Sequence, residues 1–457
     1  MGRHHRTSSS QSAQSLLAQQ KQSANQAAPA PQTTETTRPG QQSAQPEHQP
    51  SGRSLSAIKT WTWPQRVLAA GLILAAAATI IGFIIQWPPN EEPPVSEQFE
   101  QTSSLSGELV DGTVAIVQPG MCGSPSNGQV FDTSPQTNPE APNDCTHAII
   151  DLTSGEHDGQ RTLLEIHPEI PGNPQLEEGD RIALSKHDAG SYGFQDFQRS
   201  TTIWLWLAAA VILIIAVGAW RGLRAVFGLV ITLAVIAAFL IPGLIHGGSA
   251  ILLALTCGAA VLFLVLFLVH GFSWKTASAM GGTLLALCLS VGLSTLAVAT
   301  AGIRGLGDEN NLNILVYLPG VSISGLMLAG MIIGALGVLN DVTIAQASTV
   351  NEMRELEPGA KPLRLFAGAM RVGRDHIASM VYTLVLSYTG VALPTLLLLS
   401  ISGRPLGQIL SSDIMATEIL RSVTGAIALV LAVPLTTAIA ALTVRAPAAV
   451  DAAPREA

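Results

Sequence analysis

Long apolar stretches without charge dominate the pattern of hydrophobic and polar positions along this chain. A helix needs about 20 residues to cross the hydrocarbon core of a bilayer. Asp, Glu, Lys and Arg are absent from the stretches 67–90, 200–220, 225–274, 276–303, 310–340, 377–403 and 422–444. The stretch 225–274 is long enough for two helices, with a Pro- and Gly-rich turn at 241–248. The pattern therefore predicts eight transmembrane helices.

The segment between the first two predicted spans has a different pattern. Short β-rich runs at 107–117, 147–152 and 161–167 are separated by Gly, Pro, Asn and Asp, and 178–184 has the pattern of a turn into a further strand. Four to six short strands in this length predict a small barrel, for which an OB-like fold is one option. Such barrels serve many purposes, so this fold alone indicates no function.

The predicted fold class is a polytopic α-helical membrane protein with eight transmembrane helices and a small extracytoplasmic β-rich domain. The N-terminal segment has few large apolar residues and is predicted to be disordered. The first span lies too far from the N-terminus for a cleaved signal peptide, which favours a retained signal anchor. The predicted parts are a cytoplasmic tail 1–66, a signal anchor 67–86, a β-rich domain 88–199, a seven-helix membrane domain 200–444 and a cytoplasmic tail 445–457.

The distribution of charge predicts the orientation. Only 12% of the residues are charged, and the net charge of -8 averages unlike regions. Residues 1–66 hold seven Lys and Arg against two acids, whereas residues 91–199 hold nineteen acids against four Lys and Arg. Basic residues concentrate in cytoplasmic loops, so both termini are predicted to be cytoplasmic and 88–199 extracytoplasmic. The basic tail could also contact anionic lipid.

One predicted span acquires a carboxylate before it leaves the apolar zone. Gly330, Gly334 and Gly337 precede Asp341, and glycines at such spacing let helix backbones pack closely without requiring dimerisation. A charge inside the bilayer costs a few kcal/mol or more, so it normally faces a partner or a water-filled cavity. Asp341 is therefore the first candidate for a functional residue.

Further polar residues share the helical face of Asp341. Ser348 and Glu352 follow at seven and eleven positions, and Asn340 flanks them. An amphipathic helix leaving the membrane would show the same stripe and explains Glu352 well. It explains Asp341 less well, because apolar residues such as Val342 still follow. The stripe is therefore consistent with two interpretations, a polar transport site and the end of an amphipathic helix.

The candidate partners of Asp341 precede the seventh span. Arg371 and Arg374 share a helix face there, next to Asp375. They either follow the positive-inside pattern or supply a counter-charge that makes burial of Asp341 less costly. The seventh span itself is polar, with Ser387 and Tyr388 among its hydroxyl groups. These hydroxyls either line a hydrophilic path or bond across helices, and a kink is expected near Pro394.

Glu418 and Arg421 stand three residues apart before the last span, where they form an interfacial ion pair or belong to a pathway. Cys122 and Cys145 lie in the domain predicted to be extracytoplasmic, so they form a disulfide or stay as two thiols. The chain contains no HExxH, GxSxG, P-loop, dinucleotide fingerprint or paired CxxC motif. No metal site, cofactor or nucleic-acid partner is expected, and the acidic outer domain is expected to be a solvated surface.

These motifs together resemble the YibE/F family of bacterial multi-pass membrane proteins over roughly residues 200–443. The resemblance rests on the segments 334–342, 347–352, 372–375, 387–394 and 418–425 in their order and spacing. Many relatives have Ser where Gln346 stands, and the long Ser- and Gln-rich tail is not a family feature. The resemblance implies a location in the cytoplasmic membrane and supplies no activity.

Two functions compete at this point, neither of them enzymatic. The first is a transporter or permease for an ion or small solute, with a polar site around a protonatable Asp341. The second is a membrane scaffold or sensor whose outer domain binds a protein partner. An intramembrane enzyme is disfavoured, because no nucleophile–base pair or metal triad stands at a usable spacing. The lipid bilayer is a partner in each case, and the sequence does not fix the oligomeric state.

Overall fold

The computed structural model describes residues 61–103, 107–136, 144–187 and 190–445. The predicted disordered tail at 1–66 and the predicted cytoplasmic tail at 445–457 lie almost wholly outside these residues. In the described part, one antiparallel sheet lies between the first long helix and the second, and all other regular structure is helical.

The sheet is a curled half-barrel of six strands. The strands are β1 Glu108–Gly120, β2 Val130–Phe131, β3 Cys145–Leu152, β4 Arg161–Ile166, β5 Arg181–Lys186 and β6 Tyr192–Phe197. They are ordered β2-β4-β3-β1-β5-β6, and every pair is antiparallel. The long strand β1 pairs with β5 over its first half and with β3 over its second, with a bulge between Val114 and Ile116. A bulge increases the local twist and bends a strand, which curls the sheet around its apolar core.

The helices divide into long apolar ones and short connecting ones. They are α1 Trp63–Ile85, α2 Glu97–Thr102, α3 Ser200–Val235, α4 Ile241–Ile245, α5 Ala250–His270, α6 Trp274–Ala301, α7 Glu309–Tyr317, α8 Ile323–Leu356, α9 Pro362–Val391, α10 Leu393–Ser400, α11 Leu406–Leu410 and α12 Asp413–Thr443. In the described part, six segments are long and apolar enough to cross a membrane, or seven if the bent pair α9–α10 counts as one span. This many apolar helices are typical of a multi-pass membrane protein.

The second and third predicted spans are joined in the structure. Ser200–Ile245 forms one candidate span of 46 residues, in which a π-helical turn links α3 to α4. Ala219 interrupts it with a φ of 46°, and a side chain at Gly222 would collide with the backbone of Ile214. In a straight helix these two residues, eight positions apart, would be separated by about 12 Å, so their contact requires a bend between them. The segment therefore bends sharply just before Arg221, in the interval between the uncharged stretches 200–220 and 225–274.

The predicted span 310–340 is divided in two. The short helix α7 ends at Tyr317, and α8 starts at Ile323 and continues to Leu356. Between them Pro319 and Gly320 form a turn, which hydropathy does not detect because neither residue is charged. The hydroxyl of Ser322 accepts the backbone N–H of Gly325 and caps the new helix.

The kink expected near Pro394 is present. Helices α9 and α10 meet at an angle of 63°, and Pro394 occupies the first turn of α10. Proline has no N–H and its ring clashes with the preceding turn, so it begins a helix readily and does not continue one. The bend lies where α9 approaches the N-terminal parts of α8 and α12.

The helix bundle has two different ends. At the first, the Gln65 side chain donates to the carbonyl of Thr443 at 2.7 Å and accepts from Arg445 at 2.7 Å. We call this the basic end. At the other, the backbone N–H of Ser96 in the linker to the sheet donates to the carbonyl of Tyr317 at 2.9 Å. We call this the sheet end. Between the ends, α6, α8 and α12 pack against one another most extensively.

Candidate functional site in the helix bundle

Helix α9 approaches two neighbours closely through their glycines. A Cβ atom at Gly334 of α8 would lie 2.7 Å from the hydroxyl oxygen of Tyr388, and one at Gly425 of α12 would lie 3.2 Å from Leu384. Small residues at these contacts allow the helix backbones to approach. The Tyr388 hydroxyl is thereby brought onto α8 near the sheet end.

The bend between α9 and α10 opens a cavity of about 390 Å³ beside this contact. Its walls come from the loop before α7, the start of α8, the bend itself and the start of α12. The lining residues are Gly305, Gly307, Asp308, Asn311, Leu326, Met327, Gly330, Val391, Ala392, Thr395, Asp413, Ile414, Thr417, Glu418 and Arg421. Four of them carry charge, so this cavity is polar.

Glu418 and Arg421 form an ion pair at the wall of this cavity. Their nearest side-chain atoms lie 2.9 Å apart, and only 23% and 26% of the two side chains is exposed. The Arg421 guanidinium also lies 6.0 Å from the centre of the Tyr388 ring, a cation–π distance. A half-buried pair is screened far less by solvent than a surface pair. We call Glu418, Arg421 and Tyr388 the ion-pair site.

Arg421 keeps hydrogen-bonding capacity that its protein neighbours do not use. Its Nε is buried and has no acceptor in the described part of the chain. Arg354 at the basic end also has a buried Nε without an acceptor, but its terminal nitrogens donate to the carbonyls of Ala360 and Ala441. Nη1 of Arg421 instead faces Glu418, and the residue lines the cavity. A buried donor without a partner costs free energy, and a bound acceptor would remove that cost.

The other acidic groups of the cavity have structural partners. The Asp413 carboxylate accepts the backbone N–H groups of Arg304 and Gly307, at 3.0 and 3.2 Å. The Asp308 side chain accepts the N–H of Asn310 and caps α7. These two carboxylates fix the loop that closes one side of the cavity. Glu418 is therefore the acidic group that is best placed to interact with a solute.

Of the glycines predicted to pack α8 against a neighbour, Gly334 does so against α9, whereas a Cβ atom at Gly330 or Gly337 would meet nothing within 4 Å. Gly330, Gly334, Gly337 and Asp341 are all exposed, and Gly330 lines the cavity at the ion-pair site. From Gly330 to Asp341 this face extends about 16 Å along the helix. We call these four residues the open face of α8.

The structure does not bring Asp341 together with its predicted counter-charges. Among the described residues, no ion pair joins Asp341 to Arg371 or Arg374. The two arginines and Asp375 are exposed on α9, because the α9 face toward α8 carries Ala369 and Gly373 instead. The pairing hypothesis for Asp341 thus has no support in this arrangement.

The remaining predicted site residues are dispersed. Ser387 and Glu352 are exposed, and Ser348 is half-buried. Asn340 turns away from the ion-pair site and, with Gly337, lines a separate cavity of about 210 Å³ between α3, α5 and α8. Its side-chain oxygen is buried there without a partner in the described part. Of the polar residues predicted to surround Asp341, Tyr388 belongs to the ion-pair site.

Sequence reasoning missed a layer of hydroxyl groups inside the bundle. Ser278 of α6 bonds Thr443 of α12 at 2.6 Å, and Thr283 of α6 bonds Thr343 of α8 at 2.6 Å. All four side chains are buried. Serines and threonines recurring within the apolar run of α6 were the available signal, but they carry no charge. The structure gives these hydroxyls the role of bonds across helices.

The outer sheet holds two further features. The predicted pair Cys122 and Cys145 is joined as a disulfide. A cleft of about 570 Å³ lies between the ends of β4 and β6, and Tyr192 lines it. Burial raises the pKa of the Tyr192 hydroxyl above its usual value. The outer sheet therefore carries a cleft with a buried tyrosine in its wall.

Comparison with known proteins identifies one similarity. A family model described as YibE/F-like protein matches residues 206–446, which is more than half of the 457 residues. The match includes the ion-pair site and the open face of α8, and it ends before the chain terminus. No curated protein and no solved structure matches the chain.

Proposed function

The chain belongs to the YibE/F-like protein family, and on that premise we propose that it transports an ion or small solute across the membrane. The observation that carries the proposal is the half-buried Glu418–Arg421 pair at the wall of a 390 Å³ cavity. Ionisable residues within membrane segments usually mark substrate or ion pathways, because their burial is costly. The proposal assigns the protein no catalytic step.

The ion-pair site would bind the solute first. Its carboxylate and guanidinium can attract a charged group of either sign, and the unused Nε–H of Arg421 can donate to an acceptor on the solute. The cation–π contact with Tyr388 holds the guanidinium on the side of α8. The cavity is of the size that encloses a small molecule or a hydrated ion.

The open face of α8 would form the route away from this site. Gly330 lines the cavity, Gly334 meets the Tyr388 hydroxyl, and Asp341 follows on the same face. A Cβ atom at Gly330 or Gly337 would meet nothing within 4 Å, so there is room beside the helix on either side of the Tyr388 contact. Protonation and release of Asp341 would then couple solute movement to a proton, as carboxylates do in many membrane pumps.

The topology that fits this proposal has eight spans with both termini in the cytoplasm. The sharp bend at Ala219 would separate the second span from the third. The contacts of Gln65 with Thr443 and Arg445 place the start of α1 beside the end of α12. The basic end would face the cytoplasm of a bacterial cell and the sheet end the outside.

A second candidate function is a sensor in the cytoplasmic membrane. The cleft of about 570 Å³ in the outer sheet could receive a ligand or part of a protein partner. The linker before the sheet contacts α7 through Ser96, whose hydroxyl donates to the carbonyl of Val316 at 3.0 Å. Phe99 also meets the Tyr317 ring edge-on at 5.3 Å. A signal from the sheet could reach the cavity through this contact.

Reconstitution of the full chain into liposomes tests transport directly. Currents on a solid-supported membrane would be recorded after pulses of small inorganic and organic ions, with and without a pH gradient. We expect a current for at least one solute, reduced by about tenfold or more in Glu418→Gln and Arg421→Gln. Arg404→Gln, which removes an exposed arginine from the nearby loop, should retain the current. Equal currents in all three variants would contradict the proposed site.

A further inference from the structure

A cluster of metal-ligating side chains lies in the outer sheet, far along the chain from the ion-pair site. Cys145 is the first residue of β3, and Glu165 and His167 stand at the end of β4 and just beyond it. In the β3–β4 ladder Thr146 opposes Ile166, so Cys145 and His167 stand opposite each other. Side chains that oppose each other across antiparallel strands project from the same face of the sheet. The strand register therefore creates the cluster.

The fourth member arrives on the loop after β1. Cys122 is bonded to Cys145, and the loop that carries it is held from two sides. The Glu165 carboxylate accepts the N–H groups of Gly123 and Ser124, at 2.8 and 2.9 Å. The buried His147 ring contacts the carbonyl of Met121 through Nε2 at 2.8 Å. The loop position is thus fixed independently of the bond between the sulfur atoms.

The ligand atoms have distances suited to one small cation. Nδ1 of His167 lies 3.2 Å from Sγ of Cys145 and 4.0 Å from Sγ of Cys122. One ligand atom from each of the four residues lies within 4.8 Å of all the others. Tetrahedral Zn²⁺ with its usual bond lengths requires about 3.6–3.8 Å between sulfur and nitrogen or sulfur and sulfur. Once the S–S bond is broken, the two sulfurs would have to separate to roughly twice their bonded distance to reach this geometry.

Glu165 is suited to orient the imidazole and not to bind the metal itself. Its carboxylate oxygens already accept two backbone N–H groups, and Oε1 lies 3.4 Å from Nε2 of His167. With Nε2 facing a carboxylate, Nδ1 is left to face the sulfurs. Histidines that bind zinc commonly have their second nitrogen held by a carboxylate in this way. Only 4% of the Glu165 side chain is exposed, whereas 46% of His167 is.

We propose that reduction of the Cys122–Cys145 disulfide creates a Zn²⁺ site formed by Cys122, Cys145 and His167, with Glu165 orienting the imidazole. Two thiolates and one histidine leave a fourth position for water or a solute group. The site is separate from the proposed transport function and does not depend on it. Among the described residues, these four side chains form a cluster in a domain that was expected to have a solvated acidic surface and no metal site.

The redox step balances with a dithiol as the reductant. A thiolate of the dithiol attacks Cys122, whose sulfur is the more accessible one because Cys145 is buried. The S–S bond breaks, Cys145 leaves as a thiolate beside His167, and the second thiol of the dithiol releases Cys122. The dithiol becomes a disulfide and the protein gains two electrons and two protons. Zn²⁺ then replaces the two thiol protons.

Zinc titration of the purified full chain tests the proposal. The chain would be reduced with a dithiol, freed of reductant without oxygen, and titrated with Zn²⁺ against a chromophoric chelator. We expect one ion per chain at this site, bound about 100-fold or more tightly in the reduced than in the oxidised protein. Co²⁺ in place of Zn²⁺ should show thiolate-to-metal charge-transfer absorption, which a merely structural role of these residues would not produce.

Substitutions of the proposed ligands test which residues bind the zinc ion. Cys122→Ser and His167→Ala should lose the site, and Glu165→Gln should weaken it about 10–100-fold. His187→Ala, an exposed histidine of the same domain, should bind as the unmodified protein does. Circular dichroism of each variant checks that the sheet is folded. Zinc binding that persists in Cys122→Ser or His167→Ala, or that is equal in oxidised and reduced protein, would overturn the proposal.

Discussion

The two faces of α8 carry polar residues in different ways. On the packed face, Thr343 bonds Thr283 of α6, and the side-chain amide of Gln346 donates to the carbonyl of Ala369 at 2.8 Å. On the open face, Gly330 and Asp341 are exposed. Polar groups with protein partners hold helices together. A polar group without a protein partner faces either a solute pathway or lipid, so the surroundings of a residue and not its polarity separate structural from functional candidates.

The largest predicted effect comes from placing a larger side chain in the packed core between α6 and α12. Gly282 of α6 lies against Thr436 of α12, and a side chain there would collide with the Thr436 side chain and approach its backbone. We expect Gly282→Val to destabilise the protein by about 3 kcal/mol, because the two helices must separate. Thermal unfolding in detergent, followed by circular dichroism, measures the loss.

Gly292 offers a matched control for this substitution. It belongs to the same helix, and nothing lies within 4 Å of a Cβ atom placed there. Gly292→Val should change the stability by less than about 1 kcal/mol. Equal destabilisation by both substitutions would mean that the close contact between α6 and α12 is not formed.

The second prediction concerns the open face. Asp341→Asn removes the charge without changing the shape, so we expect transport to fall by about tenfold or more and its pH dependence to disappear. The unfolding temperature should stay nearly unchanged, since an exposed substitution usually alters stability by less than about 0.5 kcal/mol. Proteoliposome currents at several pH values, and thermal unfolding of the same preparation, measure the two effects. If Asp341→Asn loses stability and keeps its transport current, Asp341 has a structural role and not a functional one.

The third prediction, with the smallest expected effect, concerns a hydrogen bond on the packed face of α8. Thr283→Val and Thr343→Val, alone and together, form a double-mutant cycle across the 2.6 Å contact. We expect a coupling free energy of about 0.6 kcal/mol, the average for hydrogen bonds across membrane helices. Transport should be unchanged in all three proteins. A coupling free energy near zero would show that the hydroxyls do not bond each other in the membrane.

Much of the fold could be predicted because hydropathy and strand patterns are local. The strands β1, β3, β4 and β5 correspond to predicted runs. β2 was missed because it has only two residues, and β6 because Gly, Gln and Asp interrupt it. The turn at Pro319 and Gly320 was hidden inside an uncharged stretch.

The site was harder to predict because it depends on how helices and strands meet. The spacing of Gly330, Gly334, Gly337 and Asp341 puts them on one helical face, but spacing does not tell which face is open. Glu418 and Arg421 were considered mainly as an interfacial ion pair, since their sequence shows neither the cavity nor Tyr388. The cluster at Cys145 likewise requires the β3–β4 register, which relates residues about 20 positions apart.

The exchange Glu418→Arg with Arg421→Glu tests the central claim, transport through the ion-pair site, most directly. The exchange keeps the two charges three residues apart, so a purely structural pair would re-form, whereas a solute site would present its charges in the wrong places. We predict that the doubly exchanged protein unfolds within a few degrees of the unmodified one and gives no transport current. A doubly exchanged protein with a normal current would contradict the account and make the pair structural.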